Sequence, residues 1–294
     1  MRITPIDQIS NESSELNSSL RLFQIYKKLQ LTSLKSNSYF QVYEELFQKF
    51  IGKKITFVEI GVLHGGSLLM WREYLGDQAR IIGVDLDPRA KELEKNGFEI
   101  FIGSQSDNNF WKEFYDNVGN VDVVLDDGGH TNDQQIITTV NAINNIKENG
   151  LIVIEDTHTS YLKKFGNPSK YSFINYSKYL IDVINSRYPD INIENNFKKK
   201  IYSIHFYESL LAININSKKS IKTETIKNDG AQRKNVNDYR TNDYFPKIDK
   251  FIKTKMPFLT KIPIIKKIVR YLFYSNNFLI KIKNHSKLKK YFKD

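Results

Sequence analysis

Apolar positions recur every three to four residues in two stretches between residues 19 and 50. Leu22, Ile25, Tyr26 and Leu29 form the first set; Tyr39, Val42, Tyr43, Leu46, Phe47 and Phe50 form the second. This spacing gathers the apolar side chains on one face and predicts two amphipathic helices. The pattern then changes. Residues 54–60, 80–84, 99–102, 121–125 and 151–154 are short apolar runs that read as strands buried on both faces. Helical spacing returns at 67–75 and at 132–147. In the latter, Ile136, Ile137, Val140, Ile143 and Ile146 share a face behind Thr131 or Asn132 as N-cap. A further helix is expected near 172–186, then an antiparallel strand pair at 200–207 and 210–215. Strands alternating with helices predict an α/β fold: a doubly wound, mostly parallel sheet with a late antiparallel strand.

Composition divides the chain. The expected organisation is an N-terminal arm and helices over 1–50, the α/β domain over 51–216, a polar linker over 217–244 and an extension over 245–294. The net charge is +11, yet Pro246 to Asp294 holds 14 lysines and arginines against two acids, a net of +12, so the rest is close to neutral. Any partner chosen by charge is therefore a partner of the tail. Within it, Ile264, Ile265, Ile268, Val269, Leu272 and Phe273 fall on one helical face, with Lys266, Lys267 and Arg270 across from them. Such a helix either packs on protein or lies on an anionic membrane surface. The absence of cysteine excludes disulfides and thiolate chemistry. No run of about 20 apolar residues predicts a membrane span, and the first 20 residues lack a secretory pattern. A cytoplasmic protein is expected, with peripheral contact at the inner membrane face through the tail.

Three motifs carry candidate chemistry. The first is Glu59-x-Gly61-x-x-x-Gly65, between the first strand and its helix. Glycines here allow close backbone approach to a ligand at a helix N-terminus. The spacing departs from the dinucleotide fingerprint, and the leading acid would repel a pyrophosphate. It suits a ligand with a cationic amino-acid end, as S-adenosylmethionine has. The second is Asp85, ending the second strand, where an acid can accept the two hydroxyls of a ribose. The loop after the third strand, with Ser104, Gln105 and Asp107, offers polar groups to an adenine edge. The third is the most specific. Strand four ends in Asp126 and Asp127, with His130 three residues on, and strand five ends in Glu155 and Asp156. If the two strands are neighbours their tips lie about 5 Å apart. Three or four carboxylates then converge and resist joint ionisation. A hard divalent cation such as Mg²⁺ resolves this, with His130 beside it as a base.

The segments 57–71, 82–87, 126–130 and 155–161 together resemble the metal-dependent sugar O-methyltransferases of the macrocin and mycinamicin type, and related proteins labelled cephalosporin hydroxylase. The resemblance covers about residues 50–215. It implies a Rossmann-like, class I S-adenosylmethionine-dependent methyltransferase. It implies a metal held by Asp127, Glu155 and Asp156, with His130 as general base. It implies S-adenosylmethionine held by Glu59, Gly61, Asp85 and Asp126, with polar groups of 104–107 around the adenine. The expected acceptor is a sugar hydroxyl on a small molecule or glycan, in natural-product or surface-polysaccharide synthesis, and a homo-oligomer is expected. The rivals are a catechol or other small diol as acceptor, and a nucleic acid bound by the tail. Nucleic acid is disfavoured, because an acidic cluster repels a phosphate backbone.

Overall fold

The computed structural model describes residues 15–166 and 169–231, with isolated short pieces beyond residue 253. The chain divides into two compact units, Met1–Thr225 and Ile226–Asp294. Of the second, the described residues are 226–231, which form no helix or strand, and short helical pieces beyond residue 253, including Lys289–Tyr291. The basic helix expected over 264–273 lies, apart from Ile264, outside the described residues. Among the described residues no helix is long and apolar enough to cross a membrane.

The first unit is built on seven strands: β1 (Thr56–Ile60), β2 (Arg80–Asp85), β3 (Glu99–Ile102), β4 (Val121–Asp126), β5 (Ile146–Ile154), β6 (Ile201–Tyr207) and β7 (Leu210–Ile215). Their order is β3-β2-β1-β4-β5-β7-β6. The first five pair in parallel. The strand β7 lies between β5 and β6 and runs antiparallel to both. The helices are α1 (Arg21–Tyr26), α2 (Tyr39–Phe47), α3 (Gly66–Leu75), α4 (Asn108–Val118), α5 (Asn132–Asn145) and α6 (Phe173–Asn185).

Alternation along each strand feeds two cores. Phe57, Val123, Leu125, Leu151 and Val153 pack with residues of α1, α2 and α3. Val58, Ile60, Val124, Ile152 and Ile154 pack with residues of α4, α5 and α6. The helical face read from Tyr39 to Phe50 is thus the face that closes one core: Tyr39, Tyr43, Phe47 and Phe50 are all buried. The aromatic rings of Tyr43, Phe47, Phe57 and Trp71 meet at centroid distances of 4.7–6.1 Å.

Two boundaries differ from expectation. The helix read to residue 147 ends at Asn145, because Ile146 pairs with Val121 and opens β5. Its apolar side chain fits the helical period and the strand equally well. Residues 108–118 lie outside every expected element, yet α4 forms there behind an N-cap in which Asp107 accepts from the Asn109 amide at 2.8 Å.

Candidate functional site

The parallel strands end on one edge of the sheet, and the chain's winding reverses on either side of β1, which pairs with both β2 and β4. Ligands of open α/β sheets sit at such a switch point. A cavity of about 1220 Å³ opens here, lined by Gly61, Asp85, Ser104, Asp127, His130 and Asp156 among others.

The glycine segment forms a tight turn into α3. Gly61 has φ +83°, and a Cβ there would lie 2.2 Å from the carbonyl oxygen of Asp127, so only glycine lets the turn touch the tip of β4. Asp85 stabilises the same turn: its Oδ2 accepts from the amides of Val62 (3.0 Å) and Leu63 (3.3 Å), and Oδ1 from Asp87 (2.9 Å). The loop after β3 is tied to the tip of β4 by Gln105. Its Nε2 donates to both carboxylate oxygens of buried Asp126 (2.9 and 3.0 Å), and its Oε1 accepts from the Gly129 amide (3.0 Å).

The structure therefore divides the residues singled out for a cofactor. Gly61, Asp85, Ser104 and Gln105 line the cavity. Glu59, Gly65, Asp107 and Asp126 do not. Asp107 is an exposed helix cap. Asp126 is spent on Gln105 and on the Gly128 amide, and burial raises its pKa above the ordinary carboxylate range. Gly65 abuts Leu93. Glu59 is fully buried and accepts from Ser67 Oγ at 2.8 Å; burial pushes its pKa up.

The acid pairs at the tips of β4 and β5 are neighbours, since Asp126 pairs with Ile154. Ligating atoms of Asp127, His130 and Asp156 all lie within 4.8 Å of one another. His130 Nε2 stands 3.5 Å from Asp156 Oδ2 and 3.9 Å from Asp127 Oδ1. Its Nδ1 is buried without a hydrogen-bond partner among the described residues. His130 (φ +57°) and Asp156 (φ +54°) both hold left-handed backbone conformations, strain of a kind that persists at functional sites. Two carboxylates facing one opening offer the oxygen donors that a hard divalent cation takes, with an imidazole beside them.

Glu155 stands apart from that trio. Its Oε1 accepts from Lys35 Nζ at 3.0 Å and from the Tyr43 hydroxyl. Burial and the nearby Asp127 raise its pKa well above the ordinary glutamate value, against the pull of Lys35. Lys35 itself is fully buried. Desolvation disfavours its charge, but Asp127, Glu155 and Glu59 outweigh that and hold it firmly protonated. Tyr39 donates to Asp156 Oδ1 at 2.6 Å.

Lys35, Tyr39 and Tyr43 were not recognised from sequence as site residues. Lys35 lies in a polar connector, 92 and 120 residues from two of its partners. Tyr39 and Tyr43 fall on the apolar face of the expected helix. A signal existed: two tyrosines four apart on a buried face carry hydroxyls that need partners.

This is the fold of a class I S-adenosylmethionine-dependent methyltransferase. The family model "Methyltransferase domain" matches residues 58–157. The chain is 27% identical over 187 residues to a rhamnosyl tetracenomycin-C 2'-O-methyltransferase of Streptomyces olivaceus, covering 59% of this chain and 49% of that one. It is 30% identical over 135 residues to demethylmacrocin O-methyltransferase of Streptomyces fradiae, covering 43% and 33%. In three dimensions it is similar to a methyltransferase of the mycinamycin biosynthetic pathway solved with Mg, SAH and mycinamycin VI. There the TM-score is 0.58 at 24% identity, over 71% of this chain and 54% of that one. The sequence is thus similar to O-methyltransferases named for rhamnosyl tetracenomycin-C, demethylmacrocin and mycinamicin VI. It spans half or less of the length of these curated relatives.

Proposed function

We propose that this protein transfers a methyl group from S-adenosylmethionine to a sugar hydroxyl with the help of a divalent cation, Mg²⁺ by preference. The observation that carries the reading is the convergence of Asp127, His130 and Asp156 in the cavity that also reaches Gly61 and Asp85. The relatives' names, one a rhamnosyl tetracenomycin-C 2'-O-methyltransferase and another a mycinamicin VI 2''-O-methyltransferase, support the acceptor class. A neighbour solved with Mg and SAH supports the cofactors.

The residues divide the task. The Gly61 turn and Asp85 bind the adenosyl half, Asp85 offering its remaining acceptor capacity to the ribose hydroxyls. Ser104 lines the same region and Gln105 fixes its loop. Asp127 and Asp156 hold the cation. When bound, the cation supplies charge that lowers the pKa of a neighbouring hydroxyl and orients a vicinal diol. His130 Nε2 accepts the hydroxyl proton as the oxygen attacks the methyl carbon and the carbon–sulfur bond breaks. The sulfonium becomes a neutral thioether and the product is a methyl ether.

The finer assignments follow from the same reading. The acceptor is a glycosylated metabolite or glycan, and the basic extension over 245–294 supports contact with an anionic membrane where carrier-linked glycans are assembled. The test is incubation with labelled S-adenosylmethionine and Mg²⁺ against three acceptor panels: glycosylated metabolites with nucleotide sugars, catechols, and RNA. Mass spectrometry should find the label on a sugar oxygen. Label on catechol or RNA alone would overturn the reading.

A further inference from the structure

The segment between β5 and α6 leaves the sheet at the edge where the cavity opens, directly after Asp156. Its charge is one-sided. From Thr157 to Ile181 there are four lysines, Lys163, Lys164, Lys170 and Lys178, and no aspartate or glutamate. The chain outside residues 246–294 is close to neutral as a whole, so this is a local excess. Large apolar side chains of the same segment lie in water: Tyr161 is 63% exposed, Leu162 39% and Tyr171 75%. Cations and rings share the surface, with Lys164 Nζ 5.0 Å from the Phe165 ring centroid and Lys170 Nζ 5.6 Å from that of Tyr171.

The backbone beneath these side chains is tied down. Single tight turns at Thr157–Tyr161 and Lys163–Phe165 fold the segment back on itself. Asn132, at the start of α5, holds both of its ends: Nδ2 donates to the Phe165 carbonyl at 3.3 Å and Oδ1 accepts from the Phe173 amide at 2.9 Å. Thr159 Oγ1 donates to the His130 carbonyl at 2.8 Å, which fastens the segment to the loop of the site. The exposed side chains are therefore presented by a fixed backbone beside the cavity.

We propose that this segment is a docking loop that lays the site's edge of the sheet on an anionic lipid surface. Each of its parts has a counterpart there. Tyrosine rings sit at the level of the headgroups, Leu162 enters the boundary with the acyl chains, and the lysine stems lie along apolar surface while their ammonium groups meet lipid phosphates. A nucleic acid would use the lysines but offers Leu162 nothing. Docked in this way, the chain turns its cavity toward acceptors held at the headgroup level. The inference goes beyond the methyl-transfer reading and stands or falls without it. It is also separate from the extension over 245–294, because the loop belongs to the first unit.

The test uses the full chain, which has no cysteine of its own. A single Tyr171→Cys carries an environment-sensitive dye on the loop. Gln78→Cys, exposed ahead of β2 on the opposite edge of the sheet, carries it in the control. The probes are vesicles of phosphatidylcholine alone and of phosphatidylcholine mixed with phosphatidylglycerol. The dye at 171 should brighten and shift to the blue with the mixed vesicles only, and the response should fade in high salt. The dye at 78 should not respond. The triple variant Lys163→Gln/Lys164→Gln/Lys170→Gln should keep its thermal midpoint and partition onto mixed vesicles roughly 100-fold more weakly, about fivefold for each lysine. A silent dye at 171 on vesicle-bound protein would overturn the proposal and assign the binding to another part of the chain. So would unchanged partitioning of the triple variant, or a dye that responds to RNA and not to vesicles. Absence of methyl transfer with the vesicle response intact would remove the enzymatic reading and leave the docking loop standing.

Discussion

Replacing Gly61 with alanine tests the site through its backbone. Gly61 sits at φ +83°, where an L-residue costs about 1–2 kcal/mol. The new Cβ would also meet Asp127 O at 2.2 Å and Gly128 Cα at 2.8 Å, and both are backbone atoms that no rotamer change can clear. Relief to ordinary contact requires roughly 1 Å of movement between the glycine turn and the tip of β4. That tip carries Asp127, and displacements near 1 Å at a reacting centre cost about 10²-fold in rate. Gly52→Ala is the matched control: φ is +69°, with nothing within 4 Å of the built Cβ. Both variants should lose about 1–2 kcal/mol to backbone strain. Only Gly61→Ala should lose more stability than that, at least tenfold in S-adenosylhomocysteine affinity and about 10²-fold in turnover. Thermal denaturation and calorimetry read the first two. Gly61→Ala matching Gly52→Ala in both would refute the placement of the cofactor against this turn.

Other outcomes follow from the same geometry. Asp85→Ala should weaken S-adenosylhomocysteine binding by about 1–3 kcal/mol, measured by calorimetry, since it removes acceptors for the ribose and the anchor of the Val62 and Leu63 amides. His130→Ala should lower kcat by roughly 10²–10⁴ in a radiolabel assay with cofactor affinity retained; an unchanged kcat would assign the proton to another group. The metal-free protein should lose stability as pH rises from the range where its buried acids are protonated into the range where they ionise. Burial raises the pKa values of Glu155, Glu59 and Asp126 in the folded state. A raised folded pKa means stability that is present below the unfolded value and lost as pH climbs through the folded one. Thermal midpoints in chelator across that range check this, and a rising midpoint would contradict it.

The parallel sheet was legible because its strands are short apolar runs that end in an acid, as at Asp85 and Asp126, or run directly into one, as at Ile154–Glu155. The acids of the site were legible because they sit at those ends in adjacent pairs, and pairing of β4 with β5 brings them together. What could not be read was which way each carboxylate turns. Asp126 and Asp127 are sequence neighbours, yet one is bound by Gln105 and the other by Lys35. Glu155 and Asp156 divide likewise between Lys35 with Tyr43 and Tyr39. These partners come from other elements, and no local spacing announces them. The helix α4 is a different case. Its signal was present, with Asp107 as cap and Phe110, Trp111, Phe114 and Tyr115 at helical spacing, but the polar residues beside it drew the reading toward a ligand loop.

The central claim is that Asp127, His130 and Asp156 form a cation-dependent methyl-transfer centre. The most direct measurement is turnover of labelled S-adenosylmethionine with a glycosylated acceptor, in Mg²⁺ and in excess chelator, for wild type and Asp156→Asn. S-adenosylhomocysteine affinity is recorded in parallel. The account predicts that wild-type turnover disappears in chelator and returns with Mg²⁺, and that Asp156→Asn is inactive in both while binding S-adenosylhomocysteine nearly as wild type does. Full turnover in chelator, or an active Asp156→Asn, would contradict it.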